Sequence, residues 1–195
     1  MPVAVLDAIQ HRFACHAFAA GKPLSADEMA VLLRVGRLAP SAFGLEPWRF
    51  ISVTDAAGKA AIVRACFDQP TAKTAAAFIV IVTLVAALDP DSDYVRARFE
   101  AEARGRDSAH IYEAYRAHYR ADTIAAWAQG QCNFAAAHIL LQAANMGLGS
   151  CPIGGFDAAA LSAALSIPPG ETPALAIALG HCDDAAPERL RKPMD

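Results

Sequence analysis

Apolar residues recur at helical spacing early in the chain. Val5, Leu6 and Ile9 share one face, which predicts a short helix over 3–12. Ser25, Ala26, Asp27 and Glu28 match a capping box, the serine capping and the glutamate reaching back. A helix should follow with Met29, Leu32, Leu33 and Gly36 inward. It ends before Pro40, because the residue before a proline avoids helical backbone. Residues 50–54 alternate as a strand, and Asp55 can cap a helix running to about Cys66. Residues 78–85 are a continuous, largely β-branched run, as expected of a central strand buried on both faces. Residues 91–119 read as an amphipathic helix interrupted near Gly105. A second helix covers 121–146, with Gly147 as its left-handed C-terminal residue. Residues 174–179 give a last apolar strand, and 181–195 form a polar tail punctuated by proline.

No repeat or linker interrupts this order, so residues 1–195 are read as a single domain. The helix over 121–146 would be ~39 Å long at 1.5 Å per residue. That exceeds the ~33 Å gyration diameter of a compact domain of this size. Its small residues (Ala125, Ala126, Ala135, Ala136, Ala137, Ala143 and Ala144) permit close packing, which suits the spine of a homodimer interface. Burial within its own subunit is the alternative.

Composition narrows the function classes. The chain is 55% hydrophobic and 19% charged, with a mean hydropathy of +0.26. Such a value suggests apolar surface shared between subunits. A net charge of −3 gives no basic excess for a nucleic-acid partner. The N-terminus meets an acid at Asp7 and lacks a basic region, so it does not read as a signal peptide. The apolar stretch over 75–88 falls short of the ~20 residues a membrane span needs. The uncharged stretch over 123–156 is broken by Gln129, Gln131, Asn133, His138, Gln142 and Asn145. Five cysteines, at 15, 66, 132, 151 and 182, form no C-x-x-C pair, which fits a reducing cytoplasm and free thiols. The adjacent pairs Cys15-His16 and His181-Cys182 do not project easily to one tetrahedral centre, so no metal is expected.

Four separated segments carry candidate chemistry. In the first, Arg12 can pair bidentately with a phosphate, and His16 adds a donor and part of a charge near neutral pH. The second, over 39–50, holds Pro40, Ser41, Ala42, Phe43, Gly44 and Pro47. Two prolines and a glycine force an irregular loop whose backbone is free for a ligand. Ser41 offers a hydroxyl, and Glu46 can accept from ring N–H or ribityl groups. The third runs from Gly147 through Cys151, Pro152, Ile153, Gly154 and Gly155 to Asp157. Gly154 and Gly155 let backbone approach a flat ring. This is no dinucleotide fingerprint, because the third glycine is missing and the segment ends a helix instead of opening one. In the fourth, Arg189 and Arg191 alternate, so both face one way in extended chain.

In this order and at these intervals, the four segments resemble the nitroreductase family of FMN enzymes across essentially the whole chain. The resemblance implies an α+β fold with a mixed, mainly antiparallel central sheet flanked by helices. A long interface helix and a C-terminal extension reaching the partner subunit would complete it. It implies FMN at a homodimer interface, touched by both subunits. Arg12, Phe13, Ala14 and His16 fall on the phosphate and flavin segment, where Ala14 lacks the family's hydroxyl and His16 replaces a permanent cation. Pro40, Ser41, Ala42 and Gly44 match the flavin loop, with Gly44 at the family's common asparagine. Gln69 sits where an amide often meets the flavin pyrimidine. Pro152, Ile153, Gly154 and Gly155 match the segment over flavin N5, the backbone N–H of Gly154 donating there. Arg189 and Arg191 match the C-terminal phosphate clamp.

The implied activity is hydride transfer from NAD(P)H through flavin N5 to an electron-poor acceptor such as a nitroaromatic or quinone, with ping-pong kinetics and no side-chain catalyst. Phe43, Lys73, Tyr112 and Tyr115 are candidate acceptor or nucleotide contacts. For the tyrosines core packing is the alternative, and for Lys73 a solvated surface. A flavin-binding protein without turnover is a second possibility. Another flavin reaction on the same fold, such as reductive dehalogenation, is a third. Ser41 lacks the G-x-S-x-G elbow of a hydrolase.

Overall fold

The structure, a computed structural model, describes residues 5–193. The helix predicted over 3–12 is α1 (Val5–His11), its first predicted positions lying outside the described residues. Ser25 caps α2 (Ala26–Arg37) with both halves of the capping box formed. Met29, Leu32 and Gly36 of α2 are buried, as its spacing predicts. Asp55 accepts from the Gly58 amide at the start of α3 (Ala56–Ala65). The long charged stretch divides into α5 (Asp93–Ala103) and α6 (Ala109–His118), with Arg104 and Gly105 both left-handed at the break.

Four strands form one sheet, β1 (Trp48–Val53), β2 (Ala77–Thr83), β3 (Gly149–Ile153) and β4 (Thr172–Gly180), in the order β1-β2-β4-β3. All strand pairs are antiparallel. The parallel component of the expected mixed sheet shrinks to an isolated bridge between Ala14 and Ser150. β2 is central and every one of its residues is buried. Phe78, Val80 and Val82 face one half of the core, Ala77, Ile79 and Ile81 the other, as period-two alternation requires. On the first side lie Ile62 and Ala65 of α3, Ala72 of α4 (Pro70–Thr74) and Leu161 of α8 (Ala158–Ala164). On the second lie α2 and α7 (Ile124–Asn145).

Helix α7 starts after a turn at 121–123, so its 22 residues span ~33 Å. One stripe is buried: Ile124, Ala128, Cys132, Ala135, Ala136, Ile139 and Ala143. The opposite side carries exposed positions, Phe134 among them at 49%. A satellite cluster sits beyond the sheet, built from Leu45, Leu88, Val95, Phe99, Tyr115, Ile124 and Ala128.

The expectation of free thiols throughout is overturned. Cys15 and Cys182 are joined in a disulfide, while Cys66, Cys132 and Cys151 are free and buried. The bonded residues are 167 apart in sequence. They meet because the segment after α1 and the segment after β4 run alongside each other, Phe18 bridging Cys182. Asp184 approaches the same sulfurs, but bonded sulfurs leave no thiolate for a metal.

The capping box gives a direct test. Ser25→Ala should cost about 1 kcal/mol in urea unfolding at pH 7. The Ser25 backbone amide and hydroxyl hold the Glu28 carboxyl below its ordinary value. A depressed carboxylate stabilises above its unfolded pKa and stops doing so as pH falls through the folded one. The difference between wild type and variant should therefore narrow in acid. A constant gap down to pH 3 would exclude Glu28 from the cap.

Candidate functional site

Three of the four segments converge. After α1 the chain turns alongside β3, with the Cys15 amide donating to the Ser150 carbonyl at 3.1 Å. Arg12 and Ala14 are half-buried there. The tail returns to the same place: Arg189 Nη2 donates to the Gln10 carbonyl at 2.7 Å and the Arg12 carbonyl at 2.6 Å. Arg191 is close enough to act on Arg12 electrostatically. Burial, then the guanidiniums of Arg189 and Arg191, hold Arg12 below its ordinary pKa. Among the described residues, none of these three arginines forms an ion pair. Three like charges gathered without a counter-anion repel one another, and a bound anion would relieve that cost. His16 is exposed; its backbone amide and that of Ala17 donate to Asp184 Oδ2 at 2.7 and 2.9 Å. Phe13 packs its ring against the core.

The third segment contributes backbone. β3 is the last strand of the sheet, paired along its length with β4 and bridged on its other side at Ser150 by the segment after α1. Ile153 is buried, whereas Pro152, Gly154 and Gly155 are exposed. A Cβ built on Gly154 would meet nothing nearer than Leu175 Cδ1 at 4.0 Å, so the space above it is open. Gln69 Nε2 donates to the Gly155 carbonyl at 2.7 Å. The turn that aims Gln69 needs left-handed backbone at Phe67 and Asp68, and Pro70 then opens α4. Lys73 is exposed, 3.7 Å from Asp68.

The second segment is braced elsewhere. Phe43, Gly44 and Glu46 all have positive φ, an uncommon conformation for Phe and Glu. Ser41 Oγ accepts from the Glu46 amide at 2.8 Å, and the Ala42 amide donates to Gln131 Oε1 at 2.9 Å. Arg98 of α5 donates to the Gly44 carbonyl and to Glu46 Oε1 at 2.7 Å. The Tyr94 hydroxyl reaches the carbonyls of Leu45 and Glu46. Glu46, expected to accept from a ligand, thus has its carboxylate engaged by Arg98 as a loop brace. Pro40 and Ala42 are exposed, and Trp48 is in the core. No hydrogen bond among the described residues joins this loop to the arginine cluster.

The aromatic candidates divide. Tyr115 is fully buried and its hydroxyl donates to the Leu88 carbonyl at 2.6 Å. Burial raises its pKa. Its role here is packing, which corrects the expectation of an acceptor contact. Tyr112 is half-buried, edge-on to Phe99 with ring centres 4.9 Å apart. Phe43 is half-buried, 5.3 Å from Tyr115 and 5.6 Å from His118. The braces Arg98, Tyr94 and Gln131 had no signal in the sequence, since each acts on the loop from a distant helix.

The model of the Nitroreductase family matches residues 9–181. An oxygen-insensitive NADPH nitroreductase of Helicobacter acinonychis is 28% identical over 190 residues, covering 95% of this chain and 90% of the relative. A protein named NADH dehydrogenase from Thermus thermophilus is 30% identical over 165 residues, covering 84% and 80%. Among solved structures, a nitroreductase-like protein of Streptococcus mutans superposes with a TM-score of 0.86 at 20% identity, over 96% of this chain and 93% of its own. A nitroreductase-type protein of Exiguobacterium sibiricum, solved in complex with FMN, gives 0.82 at 23% identity, over 98% and 94%.

Proposed function

This chain belongs to the nitroreductase family, and from that premise we propose that it is an FMN-dependent oxidoreductase. In this reading it passes hydride from NAD(P)H to an electron-poor acceptor such as a nitroaromatic or quinone, by ping-pong turnover. The observation that carries it is the gathering of Arg12, Arg189 and Arg191, without carboxylate partners among the described residues, on the segment that pairs with β3, the strand leading to the open backbone of Gly154 and Gly155. An FMN phosphate carries up to two negative charges, and three guanidiniums suit it by number and fork geometry. The residues present therefore fit the group.

When bound, FMN supplies hydride acceptance and donation at its N5. The protein's part is positional. Arg12, Arg189 and Arg191 hold the phosphate. Gly154 and Gly155 keep side chains away from the ring, and Gln69 fixes the Gly155 carbonyl so that this backbone stays in register. Arg98 and Tyr94 hold the 40–46 loop open for Pro40, Ser41, Ala42 and Gly44 to line the flavin. Among the described residues no hydrogen bond joins that loop to the arginine cluster, which supports a homodimer in which each site draws on both subunits. The outward face of α7, with Phe134 exposed, supports the same assembly. Among the described residues no helix is long and apolar enough to cross a membrane.

Purified protein loaded with FMN should oxidise NADH or NADPH faster when menadione or a nitroarene is added. Loaded protein without turnover would leave a flavin binder, and protein that takes up no FMN would end the reading. Gln69→Ala should weaken FMN binding roughly two- to tenfold, the value of one neutral hydrogen bond. Flavin fluorescence titration measures this, and unchanged affinity would remove Gln69 from the site.

A further inference from the structure

We propose that the Cys15–Cys182 disulfide is a redox clasp that governs how tightly the protein holds FMN; this rests on the phosphate reading of the arginine cluster. The bond lies where four segments of the chain meet. Arg12 is three residues before Cys15 and Arg189 seven after Cys182. The Cys15 amide donates to Ser150 on β3, and its carbonyl accepts from Thr71 Oγ1 at 2.9 Å, two residues beyond Gln69. Gly149 makes room for the bond, since a Cβ there would lie 2.7 Å from Cys182 Cβ and 3.1 Å from Cys15 Sγ. One covalent link therefore ties together the phosphate segment, the flavin-facing strand, the Gln69 turn and the arginine-bearing tail.

Without it the tail is held by the packing of Cys182 against the core and by exchangeable hydrogen bonds. These run from the Ala19 amide to the His181 carbonyl, from the Asp183 amide to the Ala17 carbonyl, to Asp184, and from Arg189. All but the first bond lie within reach of water, where such bonds contribute little net free energy. A tail docked for only a fraction of the time lowers apparent FMN affinity by that fraction. The chemistry is thiol–disulfide exchange with a dithiol reductant. Its thiolate attacks a clasp sulfur, that of half-buried Cys182 being the accessible one because Cys15 is fully buried. Cys15 leaves as a thiolate and takes a proton, and the second reductant thiol then resolves the mixed disulfide. The clasp gains two electrons and two protons while the reductant becomes a disulfide. The other cysteines stand apart from this exchange: burial pushes Cys66 up to about 11 and Cys132 up to about 12, and raises Cys151.

The test compares full-length protein before and after dithiothreitol, with thiols counted by alkylation and FMN affinity measured by fluorescence. Oxidised protein should show three free thiols, and reduced protein five. Reduction should weaken FMN binding roughly tenfold, as for a tail docked a tenth of the time. It should also speed tryptic cleavage at Arg189 and Arg191 in FMN-free protein, a readout independent of flavin. Reoxidation should restore both. Cys182→Ser, which spares buried Cys15, should behave like reduced protein and ignore dithiothreitol. Five free thiols in oxidised protein would overturn the clasp. So would equal FMN affinity in both verified states, which leaves the proposed function standing. Absence of FMN binding in either state, with tail cleavage still redox-dependent, would remove the phosphate reading and the control of FMN with it.

Discussion

Arg12→Ala is expected to weaken FMN binding roughly 10- to 150-fold, the loss of a charge-assisted hydrogen bond of about 1.5–3 kcal/mol. Arg12 is half-buried and already strained electrostatically by Arg189 and Arg191. An anion arriving with the ligand would relieve that repulsion. Riboflavin, which lacks the phosphate, supplies the control: its affinity should change little in the same variant. Arg12→Lys keeps the charge but not the planar fork, so it should recover part of the loss. Wild-type affinity should fall with added salt more steeply than that of the variant. An equal loss for FMN and riboflavin would show that Arg12 maintains structure and does not hold phosphate.

Phe99→Ala should lower stability by about 3–5 kcal/mol, the usual cost of emptying a large buried aromatic site. In a domain of this length that corresponds to a fall in Tm on the order of 10 °C. Phe99 is fully buried and stands edge-on to Tyr112 and Tyr115, at 4.9 and 5.6 Å between ring centres. The same helix carries Tyr94 and Arg98, which brace the loop of positive-φ residues. The variant should therefore lose affinity for flavin as well as heat resistance. Scanning calorimetry and FMN titration at a temperature where the variant is folded separate the two effects. A Tm within 2 °C of wild type would mean the cluster closes over the vacancy.

How much of this was legible in sequence depended on range. The α2 cap was read correctly because both partners lie within one helical turn. β2 was read because burial on both faces leaves an unbroken apolar run. β3 was visible only as glycines and a proline, since its strand character comes from pairing with β4. α4 and α8 are short and rich in alanine, threonine or serine, so no periodicity announced them. Arg12, Arg189 and Arg191, which the structure gathers, could be singled out in sequence through their own charge and spacing. The engagement of Glu46 by Arg98 was not legible, because 52 residues separate them. Nor was the meeting of Cys15 with Cys182, which no local pattern encodes. Tyr115 shows the same limit: amphipathic spacing placed it on a helix without telling which wall that helix would face.

Pro152 sits on the sheet's rim, and its position has an effect beyond flavin. The Ser150 carbonyl points away from β4 to accept from the Cys15 amide, and Pro152, two residues on in an unshifted pairing, shares that orientation, so the amide that proline lacks is missing from the outer side. An incoming extended peptide would find a gap in the row of donors just where β3 turns toward its glycines. Growth of the sheet in that direction is discouraged, as in natural edges guarded against polymerisation. The proline thereby leaves this rim a poor template for a further strand.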